Sequence, residues 1–92
     1  MMSDDEIGAR VQQVMVEEFE LEADALRPEA TLYDDLGLDS LDAVDMVVAL
    51  EKAFAVKLAS QEEVRSVRTV GEVVSLIARL RDQMAANGDG QQ

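Results

Sequence analysis

Ser40 lies in the run Asp34-Asp35-Leu36-Gly37-Leu38-Asp39-Ser40-Leu41-Asp42, where apolar residues begin to recur at helical spacing. A serine becomes a nucleophile when a base takes its proton, and histidine is the usual base. The chain has no histidine and no cysteine. Its lysines, Lys52 and Lys57, lie beyond the run, and the neighbours of Ser40 are carboxylates, which accept hydrogen bonds and build no oxyanion hole. Chemistry performed by Ser40 is therefore disfavoured. Chemistry performed on it, by another protein, suits an exposed hydroxyl among acids. The chain also lacks a metal-ligand cluster and a glycine-rich phosphate loop, so it is expected not to be an enzyme and to hold no metal.

The elements that must position Ser40 follow from apolar spacing. Ile7, Val11, Val14, Met15 and Phe19 fall on one helical face, and Ser3 with Glu6 forms a capping-box pattern, which predicts a helix over 4–19. Residues 20–39 lose the period and contain the single proline, Pro28, and Gly37. They read as a long loop pinned by Leu21, Leu26, Leu32, Leu36 and Leu38, with one or two short turns. Asp39 caps a second helix from Ser40 to about Ala55, with Asp42 in its first turn. Its apolar stripe is Leu41, Val44, Met46, Val47, Leu50 and Phe54, and Val48 and Ala49 widen it. Ser60 and Glu63 predict a short helix within 56–68. Thr69 and Glu72 cap a last amphipathic helix through Val70, Val73, Val74, Ile77, Leu80 and Met84. The expected fold is all-α, a small four-helix bundle of three main helices and one short one with a long first loop. The domain spans 1–84, and 85–92, rich in Gly, Asn and Gln, is expected to be a disordered tail.

Charge narrows the partners. The 92 residues carry a net charge of −12, and the seven acids from Glu29 to Glu51 face no base among them. A phosphate backbone is repelled by such a surface, and three aromatics offer bases little to stack on, so nucleic acid is not an expected partner. A basic protein surface is attracted. No run approaches about 20 consecutive apolar residues, so no membrane span is expected. The acidic N-terminus does not resemble a signal peptide, and without cysteine nothing asks for an oxidising compartment, so the expected location is cytoplasmic. A monomer is expected.

The stretch from Asp35 to Asp42 resembles the attachment motif of acyl carrier proteins. Leu21, the Leu32 to Leu36 region, Leu50-Glu51 to Phe54, and Thr69-Val70 match in order, and the resemblance covers about residues 4–82. It implies that Ser40 carries 4′-phosphopantetheine, attached from coenzyme A by a phosphopantetheinyl transferase, and that the arm's thiol holds acyl groups as thioesters. It implies partner docking by Asp39, Leu41, Asp42, Val44, Asp45, Val48 and Glu51. Its partners would include ketosynthase, acyltransferase and other enzymes of fatty-acid or polyketide-type synthesis. An acyl chain is expected to enter the core between the second helix and the short helix, lined by Leu32, Leu36, Met46, Val47, Leu50, Leu58, Val64 and Val67. The chain departs from the family pattern at Lys52, Lys57, Arg65 and Ala59, which bears on the partner set. A free-standing carrier leads this reading. A carrier for specialised secondary metabolism and a structural interaction module that keeps the fold stand beside it.

Overall fold

The computed structural model describes residues 2–58, 64 and 66–90, the side chains of 84–90 aside. Among them are three helices, α1 (Asp4–Phe19), α2 (Ser40–Phe54) and α3 (Val70–Gly90), and one 3₁₀ turn, Ala23–Ala25. The fold is an all-helical bundle in which α1 packs against both α2 and α3. Most of the expected short helix, with its Ser60–Glu63 cap, lies outside the described residues.

Each helix starts where a local cap dictates. Ser3 and Glu6 exchange side-chain and backbone hydrogen bonds at α1. Asp39 and Asp42 do so at α2, and Thr69 and Glu72 at α3. Each reciprocal pair satisfies two backbone donors that a helix start or its cap otherwise leaves open. The C-terminal ends of α1 and α2 carry no glycine; Glu20 and Ala55 instead take left-handed backbone, each at φ 55°. The backbone of α3 stays helical through Gly90, six residues past the expected boundary at 84. Ala85 and Ala86 favour continuation, and Gly88 does not break it locally.

The core is built from Ile7, Val11, Val14 and Met15 of α1, Met46 and Leu50 of α2, and Val70, Val73, Leu76, Ile77 and Leu80 of α3, closed by Leu26, Ala30, Leu32, Leu38 and Leu58. Leu76 is a core residue that the sequence stripe omits, while Val74 is only half-buried. The larger departure is in α2. Leu41 and Val44, read as part of its inward stripe as well as its docking face, stand out in solvent. α1 meets a single face of this helix, so Met46 and Leu50 alone are fully buried.

Long-range ties hold the loops. Thr31 and Thr69 form an isolated antiparallel bridge flanked by the bonds from Leu32 N–H to Arg68 C=O and from Val70 N–H to Ala30 C=O. Gly71 N–H donates to Pro28 C=O at 2.8 Å, and a Cβ at Gly71 would stand 3.0 Å from that oxygen. Gln12 reaches Ala23 C=O, anchoring the 3₁₀ turn to α1. Arg81 joins the two ends of the domain: it donates to Met2 C=O at 2.8 Å and pairs with Asp4 at 2.8 Å. Its carboxylate partners Asp82 and Asp4 raise its pKa above the ordinary arginine value.

Candidate functional site

The site is assembled by the end of the long loop and the first turns of α2. Thr31 N–H donates to the Asp35 carboxylate, and Asp35 N–H donates back to the Thr31 hydroxyl and carbonyl. Those Thr31 donors, backbone first and then hydroxyl, hold the Asp35 carboxyl below its ordinary pKa. Gly37, at φ 72°, takes the left-handed turn that an L side chain resists, and Leu38 N–H then closes onto Leu32 C=O. Leu38 is buried there, so the next residues emerge at the surface. Asp39 caps, and Ser40 opens the helix.

Ser40 is exposed, and its hydroxyl makes no hydrogen bond among the described residues. The capping box commits the Asp42 N–H to Asp39, and Ala43 N–H bonds Asp39 C=O. The backbone N–H groups of Ser40 and Leu41 remain as the open donors of the first turn. With the helix dipole they favour an anion beside the serine hydroxyl.

A cavity of about 390 Å³ lies along the same face, within the roughly 300–1,000 Å³ typical of small-ligand pockets. It is lined by Leu32, Tyr33, Ala43, Val44, Met46, Val47, Val48, Glu51, Val64 and Val67. On α2 the positions Ser40, Ala43, Val44, Val47, Val48 and Glu51 repeat at three and four residues, one continuous helical face. Ser40 therefore stands at the head of the stripe that forms the cavity's wall. Val44 and Tyr33 are exposed at its mouth, while Leu32 and Met46 are buried at its base.

Five of the eight residues expected to line an acyl pocket do line this cavity: Leu32, Met46, Val47, Val64 and Val67. Leu36, Leu50 and Leu58 do not. Leu50 and Leu58 are each 1% exposed and pack the core behind it, and Leu36 is partly buried against that core. Tyr33 and Ala43 line it without having been expected there, and Val44, Val48 and Glu51 line the cavity in addition to the docking role read for them. The three- and four-residue spacing from Ser40 carries the signal for the α2 members. Nothing local in a loop announces where Tyr33 faces.

The acids read as one docking set are not equivalent in the structure. Asp39 and Asp42 each give a carboxylate oxygen to the other's N–H. Glu51 Oε2 accepts from Leu58 N–H at 2.8 Å. Asp45 alone among the α2 acids makes no hydrogen bond or ion pair among the described residues. No group of three or more candidate metal ligands occurs among the described residues, and no helix there is long and apolar enough to cross a membrane.

Comparison with known proteins agrees with this geometry. A family described as the phosphopantetheine attachment site matches residues 9–77. The chain is 37% identical over 79 residues to acyl carrier protein 2 of Ralstonia nicotianae (strain ATCC BAA-1114 / GMI1000), covering 86% of this chain and 96% of that protein.

Proposed function

The chain belongs to the acyl carrier protein family, whose cofactor is phosphopantetheine, and we propose that Ser40 is the residue that bears it. Such proteins are carriers and not enzymes. The observation that carries the assignment is the position of Ser40: an exposed, unengaged hydroxyl beside two open backbone donors, at the head of the α2 face that walls the cavity. When bound, the arm supplies a terminal thiol that holds an acyl group as a thioester. Everything else falls to the chain's own residues. The N–H groups of Ser40 and Leu41 hold the phosphate end. Val44 and Val47 continue the wall down the helix, and Leu32, Met46, Val64 and Val67 offer apolar surface that keeps water from a short acyl chain, worth about 0.8 kcal/mol per methylene sheltered.

On this reading the protein is a monomeric, cytoplasmic carrier in fatty-acid or polyketide-type synthesis. A phosphopantetheinyl transferase loads it from coenzyme A, and ketosynthase and acyltransferase partners engage α2 near Ser40.

Intact mass after incubation with coenzyme A and a broad-specificity phosphopantetheinyl transferase tests the assignment. One arm should be added to the wild-type chain and none to Ser40→Ala, whose helical circular dichroism should match wild type. A mass gain that persists in Ser40→Ala would move the site to Ser3, Ser60, Ser66 or Ser75 and overturn it.

A further inference from the structure

Val67 lies between two cavities. One is the apolar cavity along α2, where it stands with Leu32, Met46 and Val47. The other has a volume of about 310 Å³ and is lined by Ser66, Val67, Glu72, Ser75 and Arg79. Among the described residues Val67 alone belongs to both linings. Glu72, Ser75 and Arg79 recur at three and four residues, so one face of α3 forms the far side of the second cavity.

The surroundings change character across this one side chain. On the α2 side most of the lining is aliphatic. On the α3 side every described residue but Val67 is polar or charged. Glu72 Oε1 accepts the N–H groups of Arg68 at 2.6 Å and Thr69 at 3.1 Å. The Ser75 hydroxyl makes no hydrogen bond among the described residues. The division is also fixed in place. Arg68, next in the chain, gives its C=O to Leu32 N–H at 2.8 Å and its N–H to Glu72, so its backbone is tied to a residue of each cavity. Val67 itself is half-buried against the core, and a β-branched side chain turns little about χ1.

We propose that Val67 decides which cargo the protein shelters. It ends the apolar cavity, so that a short, wholly apolar chain is covered up to it, and a longer chain, or one with a hydroxyl or carboxyl group at its far end, is not. The inference rests on the reading of Ser40 as the loaded residue, whose arm brings the chain to the cavity. A methylene set against Met46 and Val47 leaves water for apolar contact. A methylene pushed past Val67 strips water from Glu72, Ser75 and Arg79 and gives them no hydrogen bond in return, so an alkyl chain gains nothing by crossing. A polar chain end would find partners there, in the Ser75 hydroxyl and in the several N–H donors of the Arg79 guanidinium. The valine stands in its way. Removing the side chain at position 67 joins the two cavities and changes the class of cargo covered from alkyl to polar-ended.

The test reads amide chemical shifts of the full-length chain, unloaded and loaded by the transferase from acyl-coenzyme A thioesters, with intact mass confirming each load. In wild type the shifts at Met46 and Val47 should grow along the series from butyryl to dodecanoyl and level off before its end. The Ser75 and Arg79 amides should stay in place with dodecanoyl and with ω-hydroxydodecanoyl. In Val67→Ala the ω-hydroxydodecanoyl load should shift Ser75 and Arg79, dodecanoyl should shift them less, and adding Ser75→Ala should reduce the shift. Val67→Leu, which reaches further into the apolar cavity, should bring the levelling to a shorter chain, and it decides the matter if Val67→Ala does not fold by circular dichroism. Shifts at Ser75 and Arg79 in loaded wild type, none in a folded Val67→Ala, or an unchanged levelling point in Val67→Leu would show that Val67 sets no boundary, and the carrier reading would stand without it. A wild-type chain that gains no mass overturns the assignment of Ser40 and this proposal with it.

Discussion

Glu51 and Leu58 are joined across the end of α2: Glu51 Oε2 accepts the backbone N–H of Leu58 at 2.8 Å, and the Leu58 side chain is 1% exposed. The bond turns the chain back after the left-handed Ala55 and seats Leu58 in the core. Glu51→Ala leaves a buried-side N–H without its charged acceptor, which should cost about 1–3 kcal/mol. Glu51→Gln keeps an acceptor oxygen and should cost less than half of that. Urea unfolding of the two variants measures the difference. Equal stability of Glu51→Ala and wild type would return Glu51 to the role of a solvated surface acid.

Two glycines should respond to alanine with opposite sign. A Cβ on Gly71 meets Pro28 C=O at 3.0 Å, a backbone atom held by the 2.8 Å bond from Gly71 N–H. Gly71→Ala should therefore destabilise by about 1–3 kcal/mol. Gly8 lies inside α1 and faces open space: a Cβ added there would meet nothing within 4 Å. Gly8→Ala should stabilise by about 0.5–1 kcal/mol through helix propensity. In a domain of this size 1 kcal/mol moves Tm by about 4–8 °C, so calorimetry resolves both.

Acid should weaken two local ties. The carboxyls of Asp35 and Glu6 are held below their ordinary values of 3.8 and 4.5, chiefly by the backbone N–H groups of Thr31 and Ser3. The unfolded chain then binds more protons than the folded one in that window. The stabilisation is complete above the ordinary values and is lost as pH falls through the lower folded values. Tm measured from pH 7 to pH 3 should drop in that range, and Asp35→Asn should flatten the part due to the Thr31 turn. An identical acid limb in Asp35→Asn would show that the turn contributes nothing to it.

Loading a short acyl chain should be felt along the cavity and not behind it. Amide resonances of Leu32, Met46, Val47, Val64 and Val67 should shift between the unacylated and acylated forms, with those of Leu50 and Leu58 moving less. Val47→Phe, which fills the wall one turn below Val44, should suppress the shifts while leaving the mass gain at Ser40 intact. Shifts confined to the residues around Ser40 would leave the cavity without a role in holding the chain.

Much of this protein is legible as a sequence because the signals are local. The reciprocal caps at Ser3–Glu6 and Thr69–Glu72 bind residues three apart, so the helix starts can be read without knowing what lies alongside. The same holds for the Asp39 cap and for the α1 face of Ile7, Val11, Val14 and Met15. The run around Ser40 is local as well: it puts a serine with no accompanying base among acids at the start of a helix, which makes that serine the candidate for modification. Which side of α2 faces in is not local. Its apolar residues nearly encircle the helix, and only the packing of α1 selects Met46 and Leu50 and leaves Leu41 and Val44 in water. Tyr33 at the cavity mouth, Gly71 against Pro28, Glu51 on Leu58 and Arg81 on Met2, 79 residues away, are likewise products of chain closure. A periodic pattern states which residues share a face; it takes the rest of the folded chain to decide which face is covered.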